Sequence, residues 1–290
     1  IREHLDLLQD VEIIMSAWGG PHMDEEFLAH APALEAVFYA AGSIKGLVTD
    51  AFWQRDISIC SAWGANGVPV AEYCLSQILW GLKLGHKFMR QTRQKIWGHG
   101  QAPVFGGYDS TVGIISLGMI GRYVCELLRP FDINVIAYDP FAEQAQADEL
   151  GVELVPLDDV FSRAAVVSLH TPNLPSTQKM IQARHFELMR DNATFINTAR
   201  GAVVDEAGLI EVFTRRPDLQ AVLDVTYPEP PEEPSPLYTL DNVVLTPHIA
   251  GSMGPECHRM GRYMLDELKR HLAGQPLKWQ VTQEKATVMA

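Results

Sequence analysis

Residues 111–139 read TVGIISLGMIGRYVCELLRPFDINVIAYD, and this stretch decides the fold. Val112–Ile115 is an apolar, β-branched run of the kind that makes a strand buried on both faces. The turn Ser116-Leu117-Gly118-Met119-Ile120-Gly121 follows at once. Val124, Leu127, Leu128 and Phe131 then recur at helical spacing, with Pro130 near the stop. A second apolar run, 134–137, leads into Tyr138 and Asp139. The pattern is a βαβ unit with the dinucleotide fingerprint G-x-G-x-x-G, except that Ser116 stands at the first glycine position.

Each position has a physical task. Gly118 lets the backbone approach a pyrophosphate, and Gly121 lets the helix pack close to the strand. The helix amino terminus offers free N–H groups and a partial positive charge to that phosphate. A carboxylate at Asp139 accepts hydrogen bonds from adenosine ribose hydroxyls and repels a 2′-phosphate, which favours NAD over NADP. Ser116 is expected to be borne rather than used. A glycine there escapes a steric cost of roughly 1 kcal/mol, so Ser116→Gly is expected to hold the nucleotide as well or better.

The composition sets bounds around this unit. At 290 residues, 47% of them hydrophobic, the chain has room for two domains with large cores. A net charge of −13 argues against nucleic acid or an anionic membrane surface as partner. Cys60, Cys74, Cys125 and Cys257 are scattered without a C-x-x-C pair and read as core residues of a reducing compartment. No apolar run is long enough to cross a bilayer, so a cytoplasmic location is expected. His22, His30, His170 and His185 show no metal-ligand spacing, and no metal is expected.

Before the fingerprint, the pattern reads helix 2–8, strand 11–16, helix 23–30, strand 34–40, helix 47–55 and strand 57–60, a small α/β domain. The opening on a helix suggests that the natural protein extends upstream of Ile1. One long helix is expected from Val70 to about Gln94, apolar over much of its circumference and therefore buried, against another subunit if not its own core. Trp97–Gly107 reads as a loop. After Asp139, strands at 152–155, 166–170, 194–197, 220–225 and 243–246 alternate with helices at 157–163, 183–189 and 206–215, and a final helix runs from about Gly254 to Leu272.

Three of these strands are followed directly by an ionisable group. Strand 194–197 runs into Thr198 and Arg200; strand 220–225 carries Asp224 and continues to Glu229; strand 243–246 runs into His248. Ligands of an open parallel sheet bind beyond the carboxyl ends of its strands, so these groups can converge on a nucleotide. Moving a hydride at a carbon bearing oxygen also requires moving a proton at that oxygen, and histidine suits that role. A carboxylate beside it stabilises the imidazolium and fixes its orientation. Arginine offers a planar fork to a substrate carboxylate.

TVGIISLGMIGR, VSLHTPN at 167–173, FINTARGAVVDEAGL at 195–209, LDVTYPEP at 223–230 and LTPHIAG at 245–251 together resemble the D-specific 2-hydroxyacid dehydrogenase family over nearly the whole chain. The resemblance implies an α/β protein of two Rossmann-like or flavodoxin-like domains, the larger a doubly wound parallel sheet binding NAD in the interdomain cleft. The substrate domain would then comprise 1–68 and 254–290, without its usual first strand, and the NAD-binding domain 69–253. It further implies that Arg200 binds the substrate carboxylate, that His248 is the acid/base and that Glu229 is its partner. Asp224 would hold the nicotinamide amide, with Thr171, Thr198, Arg200, His248 and Gly251 beside the cofactor and Gly42, Ser43 and Ile44 on the substrate carboxylate. A homodimer through the NAD-binding domain is implied as well.

The reading is thus of an NAD-dependent enzyme interconverting a 2-oxo acid and a D-2-hydroxy acid. The alternative is an NAD(H)-regulated binding protein of corepressor type, since relatives of that kind keep all three polar residues. Formate oxidation is disfavoured, because that branch pairs its histidine with Gln where Glu229 stands. Ser43 and Lys45 depart from the family's usual Gly and Asp, so no one member's substrate is adopted.

Overall fold

A computed structural model of the chain describes residues 2–98 and 103–289; the middle of the expected 97–107 loop and Ile1 lie outside the described residues. The chain divides into two compact units, 1–68 with 251–290, and 69–250. In chain order the elements are a 3-10 segment Arg2–Leu8, β1 (Ile13–Ser16), α1 (Glu25–His30), β2 (Ala36–Tyr39), α2 (Asp50–Trp53), β3 (Ser58–Ser61), α3 (Trp63–Leu82) and α4 (Gly85–Arg93). Then come β4 (Ser110–Ile115), α5 (Met119–Leu128), β5 (Ile133–Tyr138), α6 (Gln144–Leu150), β6 (Glu153–Leu154), α7 (Leu157–Arg163), β7 (Val166–Leu169) and α8 (Ala183–Leu188). The chain ends with β8 (Thr194–Asn197), α9 (Glu206–Arg215), β9 (Gln220–Leu223), β10 (Val243–Leu245), α10 (Cys257–Leu272) and α11 (Gln283–Val288).

The larger unit is a seven-stranded parallel sheet in the order β10-β9-β8-β7-β4-β5-β6. Alternate residues of its strands feed two cores. Ile115, Val167, Leu169, Phe195 and Leu223 pack with Phe161, Phe186 and Phe213 of α7, α8 and α9. Ile114, Val166, Ile196 and Val222 pack with Cys74, Ile78, Val124 and Leu128 of α3 and α5. Covering both faces is why these strands read as continuous apolar runs. Burial pushes the Cys74 thiol up to about 11 and that of Cys125 up to about 12, as expected of inert core cysteines.

The smaller unit has a three-stranded parallel sheet, β1-β2-β3. The buried Glu267 on α10 accepts from the Lys278 and Trp279 N–H groups at 2.7 and 3.0 Å, which fixes the chain that returns along β3. Among the described residues, no helix is long and apolar enough to cross a membrane.

Two expectations about helices need correction. The single helix from Val70 to Gln94 is two: α3 starts earlier, at Trp63, and runs through Pro69, and Leu84 then turns left-handed (φ 52°) before α4. The break seats Leu84 in the interior, 5% exposed, and close packing surrounds it: a Cβ on Gly81 would press on Thr194 and one on Gly85 would strike the Trp80 ring. The expected burial holds only in part: the first turns of α3 are mostly buried, but Glu72, Ser76 and Trp80 further along it are exposed, and no residue of α4 is buried. The final helix begins as a 3-10 turn, Gly254–Glu256, before α10, and α11 was not expected.

The βα turn depends on one glycine. A Cβ on Gly121 would collide with the Ser116 carbonyl oxygen, a backbone atom that has no room to yield. Gly121→Ala is therefore expected to lower unfolding free energy by about 1–3 kcal/mol in a denaturant titration, and an unchanged midpoint would contradict this packing.

Candidate active site

Strand register sets one row at the carboxyl edge of the large sheet. Tyr138, Ile115, Leu169, Asn197, Leu223 and Leu245 are successive partners across the strands. The residue after each therefore belongs to one row: Asp139, Ser116, His170, Thr198, Asp224 and Thr246. Strand order reverses at β4, which has β5 on one side and β7 on the other. Such a switch point leaves a crevice where a ligand can sit.

At the β4 end, Ser116 is left-handed (φ 75°), the conformation for which glycine is the usual residue. Its hydroxyl is 2.7 Å from that of Thr171. Gly118 is the N-cap of α5, and the space where its Cβ would lie is open. Met119 and Ile120 form the first turn of α5, whose N–H groups face no side-chain cap. Asp139 has both carboxylate oxygens on the backbone, Oδ2 accepting from Leu117 N–H at 2.7 Å and Oδ1 from Phe141 N–H at 2.8 Å. An open cradle at a helix amino terminus, with a carboxylate at the next strand end, fits a dinucleotide.

At the β8–β10 end, Glu229 and His248 meet: Nδ1 of His248 donates to Oε1 of Glu229 at 2.7 Å, and the two side chains are about half exposed. They line a cavity of about 460 Å³ whose walls include Pro230, Pro231, Tyr238 and Leu245. His248 itself is left-handed (φ 55°). Strain of this kind persists only where the surroundings over-determine the backbone. Here they do. Asp224, 1% exposed, accepts from the Thr246 hydroxyl at 2.6 Å, Ile249 N–H at 2.8 Å and Ala250 N–H at 2.9 Å. Its carbonyl also accepts from His248 N–H at 3.0 Å.

Arg200 follows β8, and Nη1 donates to the Ala199 carbonyl at 2.6 Å. Burial pushes its guanidinium below the ordinary arginine range, and the Glu229 carboxylate counters that push. Thr198 is 7% exposed and bonds Cys74 of α3 at 3.2 Å. The remaining expected residues belong to the smaller unit. There the Ser61 hydroxyl is shared between the Ala41 and Gly42 carbonyls, Ser43 Oγ accepts weakly from Lys45 N–H at 3.4 Å, and Ile44 is buried. Gly251 lies against Asn66, whose Oδ1 would be 3.2 Å from an added Cβ.

Three residues escaped the sequence reading. Thr246 bridges Asp224 and the Tyr73 hydroxyl, the latter at 3.2 Å, and Arg122 donates from Nε to the Leu117 carbonyl at 2.8 Å. Tyr73 lies on α3, far from the motif in sequence. Arg122 directly follows the last fingerprint glycine, which was its only signal.

Residues 75–250 match the family model described as the NAD binding domain of D-isomer specific 2-hydroxyacid dehydrogenase. The chain belongs to this family. Its larger unit is accordingly an NAD-binding domain, and the open cradle is built from that domain's own residues. D-3-phosphoglycerate dehydrogenase of Archaeoglobus fulgidus is 31% identical over 259 residues, covering 88% of this chain and 49% of the relative. The enzyme of the same name from Mycobacterium tuberculosis is 32% identical over 253 residues, covering 87% and 48%. The chain thus spans about half the length of these curated relatives. Among solved structures, the NAD-complexed D-isomer specific 2-hydroxyacid dehydrogenase of Lactobacillus delbrueckii shares the fold with a TM-score of 0.83 at 24% identity, covering 97% of this chain and 89% of its own. Apo D-mandelate dehydrogenase of Rhodotorula graminis gives 0.84 at 23%, covering 97% and 87%.

The clamp on Asp224 yields a direct expectation. Asp224→Ala leaves two backbone N–H groups and a hydroxyl without their acceptor. It should cost at least about 2 kcal/mol of stability in chemical denaturation. A loss under about 0.5 kcal/mol would show that the 246–250 loop does not depend on this carboxylate.

Proposed function

We propose that the protein is an NAD-dependent oxidoreductase interconverting a 2-oxo acid and a D-2-hydroxy acid. The observation that carries this reading is the 2.7 Å His248–Glu229 contact on the sheet edge that also bears the fingerprint turn. When bound, NAD supplies or accepts the hydride at its nicotinamide. Everything else falls to side chains. Arg200 holds the acid's carboxylate with its planar fork and polarises the neighbouring carbonyl. Glu229 holds Nδ1 of His248, which leaves Nε2 to give a proton to the substrate oxygen in reduction and to take it back in oxidation. Asp224, through Thr246, Ile249 and Ala250, keeps that imidazole in place. Asp139 sets the preference for NAD, its negative charge opposing a 2′-phosphate.

The relatives named above are dehydrogenases, and no feature of the edge favours the corepressor reading. The test is oxidation of NADH and of NADPH by a panel of 2-oxo acids: small, branched, aromatic and phosphorylated. Turnover with at least one acid is expected, faster with NADH. Binding of NADH without oxidation by any acid would overturn the proposal.

A homodimer through the larger unit belongs to the same proposal. Its support is a group of exposed apolar residues on and after α3 and α4: Trp80 at 47%, Met89 at 41%, Ile96 at 52% and Trp97 at 88%. Large apolar residues left exposed along two successive helices are candidates for covering by a second chain. Light scattering should give the mass of two chains, and Trp97→Glu should shift the population toward one. A monomer at micromolar concentration would contradict it.

A further inference from the structure

The serine in the fingerprint has an unexplained cost. A residue with a Cβ is disfavoured at Ser116's φ of 75°, where glycine is not. What the side chain gains is a hydroxyl–hydroxyl bond of 2.7 Å to Thr171, which follows the neighbouring strand β7. Thr171 is 3% exposed and Ser116 is partly buried, so this bond is partly screened from water and worth more than one fully on the surface.

The same turn is held on its other sides. Ser116 N–H donates to the Tyr138 carbonyl at 2.8 Å, beyond β5. The Leu117 peptide is gripped at both ends, its N–H by Asp139 at 2.7 Å and its carbonyl by Arg122 at 2.8 Å. A glycine at 116 would keep the β5-side bonds and lose the link to β7. It would also leave the Thr171 hydroxyl without this partner.

We propose that Ser116 is a positioning residue of the nucleotide turn, its hydroxyl tied to Thr171 so that the turn is set before NAD arrives. This rests on the reading of the edge as an NAD site. A turn already fixed in its bound shape loses less freedom on binding, and affinity rises accordingly. The order of NADH affinity is then wild type, Ser116→Gly, Ser116→Ala. The glycine variant loses the bond but sheds the strain, whereas the alanine variant loses the bond and keeps the strain. This reverses the sequence-based expectation that glycine would bind as well or better.

The experiment is a double-mutant cycle of Ser116→Ala and Thr171→Val, read by NADH titration and by thermal melts without cofactor. Each single change should weaken NADH roughly 2- to 12-fold, the range of one hydrogen bond. The double variant should be no weaker than the worse single one. KM for NADH should rise with kcat unchanged, a split that a general loss of stability does not produce. Wild-type affinity in Ser116→Ala, or losses that simply add, would overturn the proposal. Should the wild type fail to bind NADH, the reading of the edge falls. The melts still decide the brace: coupled losses support it and additive ones refute it.

Discussion

A carboxylate buried to 1% exposure, with three donors on it, sits at the end of β9. A buried charge is costly unless hydrogen bonds replace its water, and Asp224 receives two from backbone and one from a hydroxyl. Those donors are Thr246, Ile249 and Ala250, which flank His248 on both sides. The clamp thereby fixes the one residue between them whose backbone is strained. His248 is left-handed because its neighbours are held, not because histidine prefers it. Its imidazole then meets Glu229, on the loop that leaves the same strand as Asp224.

The rest of the edge follows from register. Parallel strands paired without a bulge bring their last residues level, so the first residues beyond them form a row. Residues far apart in sequence become neighbours in this way, as Thr246 does beside Asp224, and Ser116 reaches Thr171 one residue beyond the row. At one end of the row the turn suits a phosphate; at the other an imidazole is paired with a carboxylate. The proposed hydride exchange would draw on both, and one sheet carries them.

Much of this was legible because it is local or periodic. The βαβ unit showed itself through apolar runs, a glycine turn and Asp139, all within 29 residues of sequence, 111–139. The three polar groups after strands 194–197, 220–225 and 243–246 were visible for the same reason, and the structure brings two of them, Glu229 and His248, into contact. Arg200 instead bonds the Ala199 carbonyl. What stayed hidden was long-range or contrary to propensity. Pro69 and the glycines near it masked the first turns of α3, and Leu84 is a poor candidate for the left-handed break that ends it. The role of Asp224 depends on backbone N–H groups 25 and 26 positions away, which no side-chain pattern announces. The Ser116–Thr171 bond spans 55 positions, and the glycine rule pointed the other way.

The central claim is that this edge performs proton-coupled hydride exchange through His248. It is tested most directly by kcat/KM for reduction of an accepted 2-oxo acid in His248→Ala, with NADH binding measured in parallel. The account predicts a fall of roughly 10²- to 10⁴-fold, the usual contribution of a general acid, with NADH still bound. Turnover within a few-fold of wild type would contradict it.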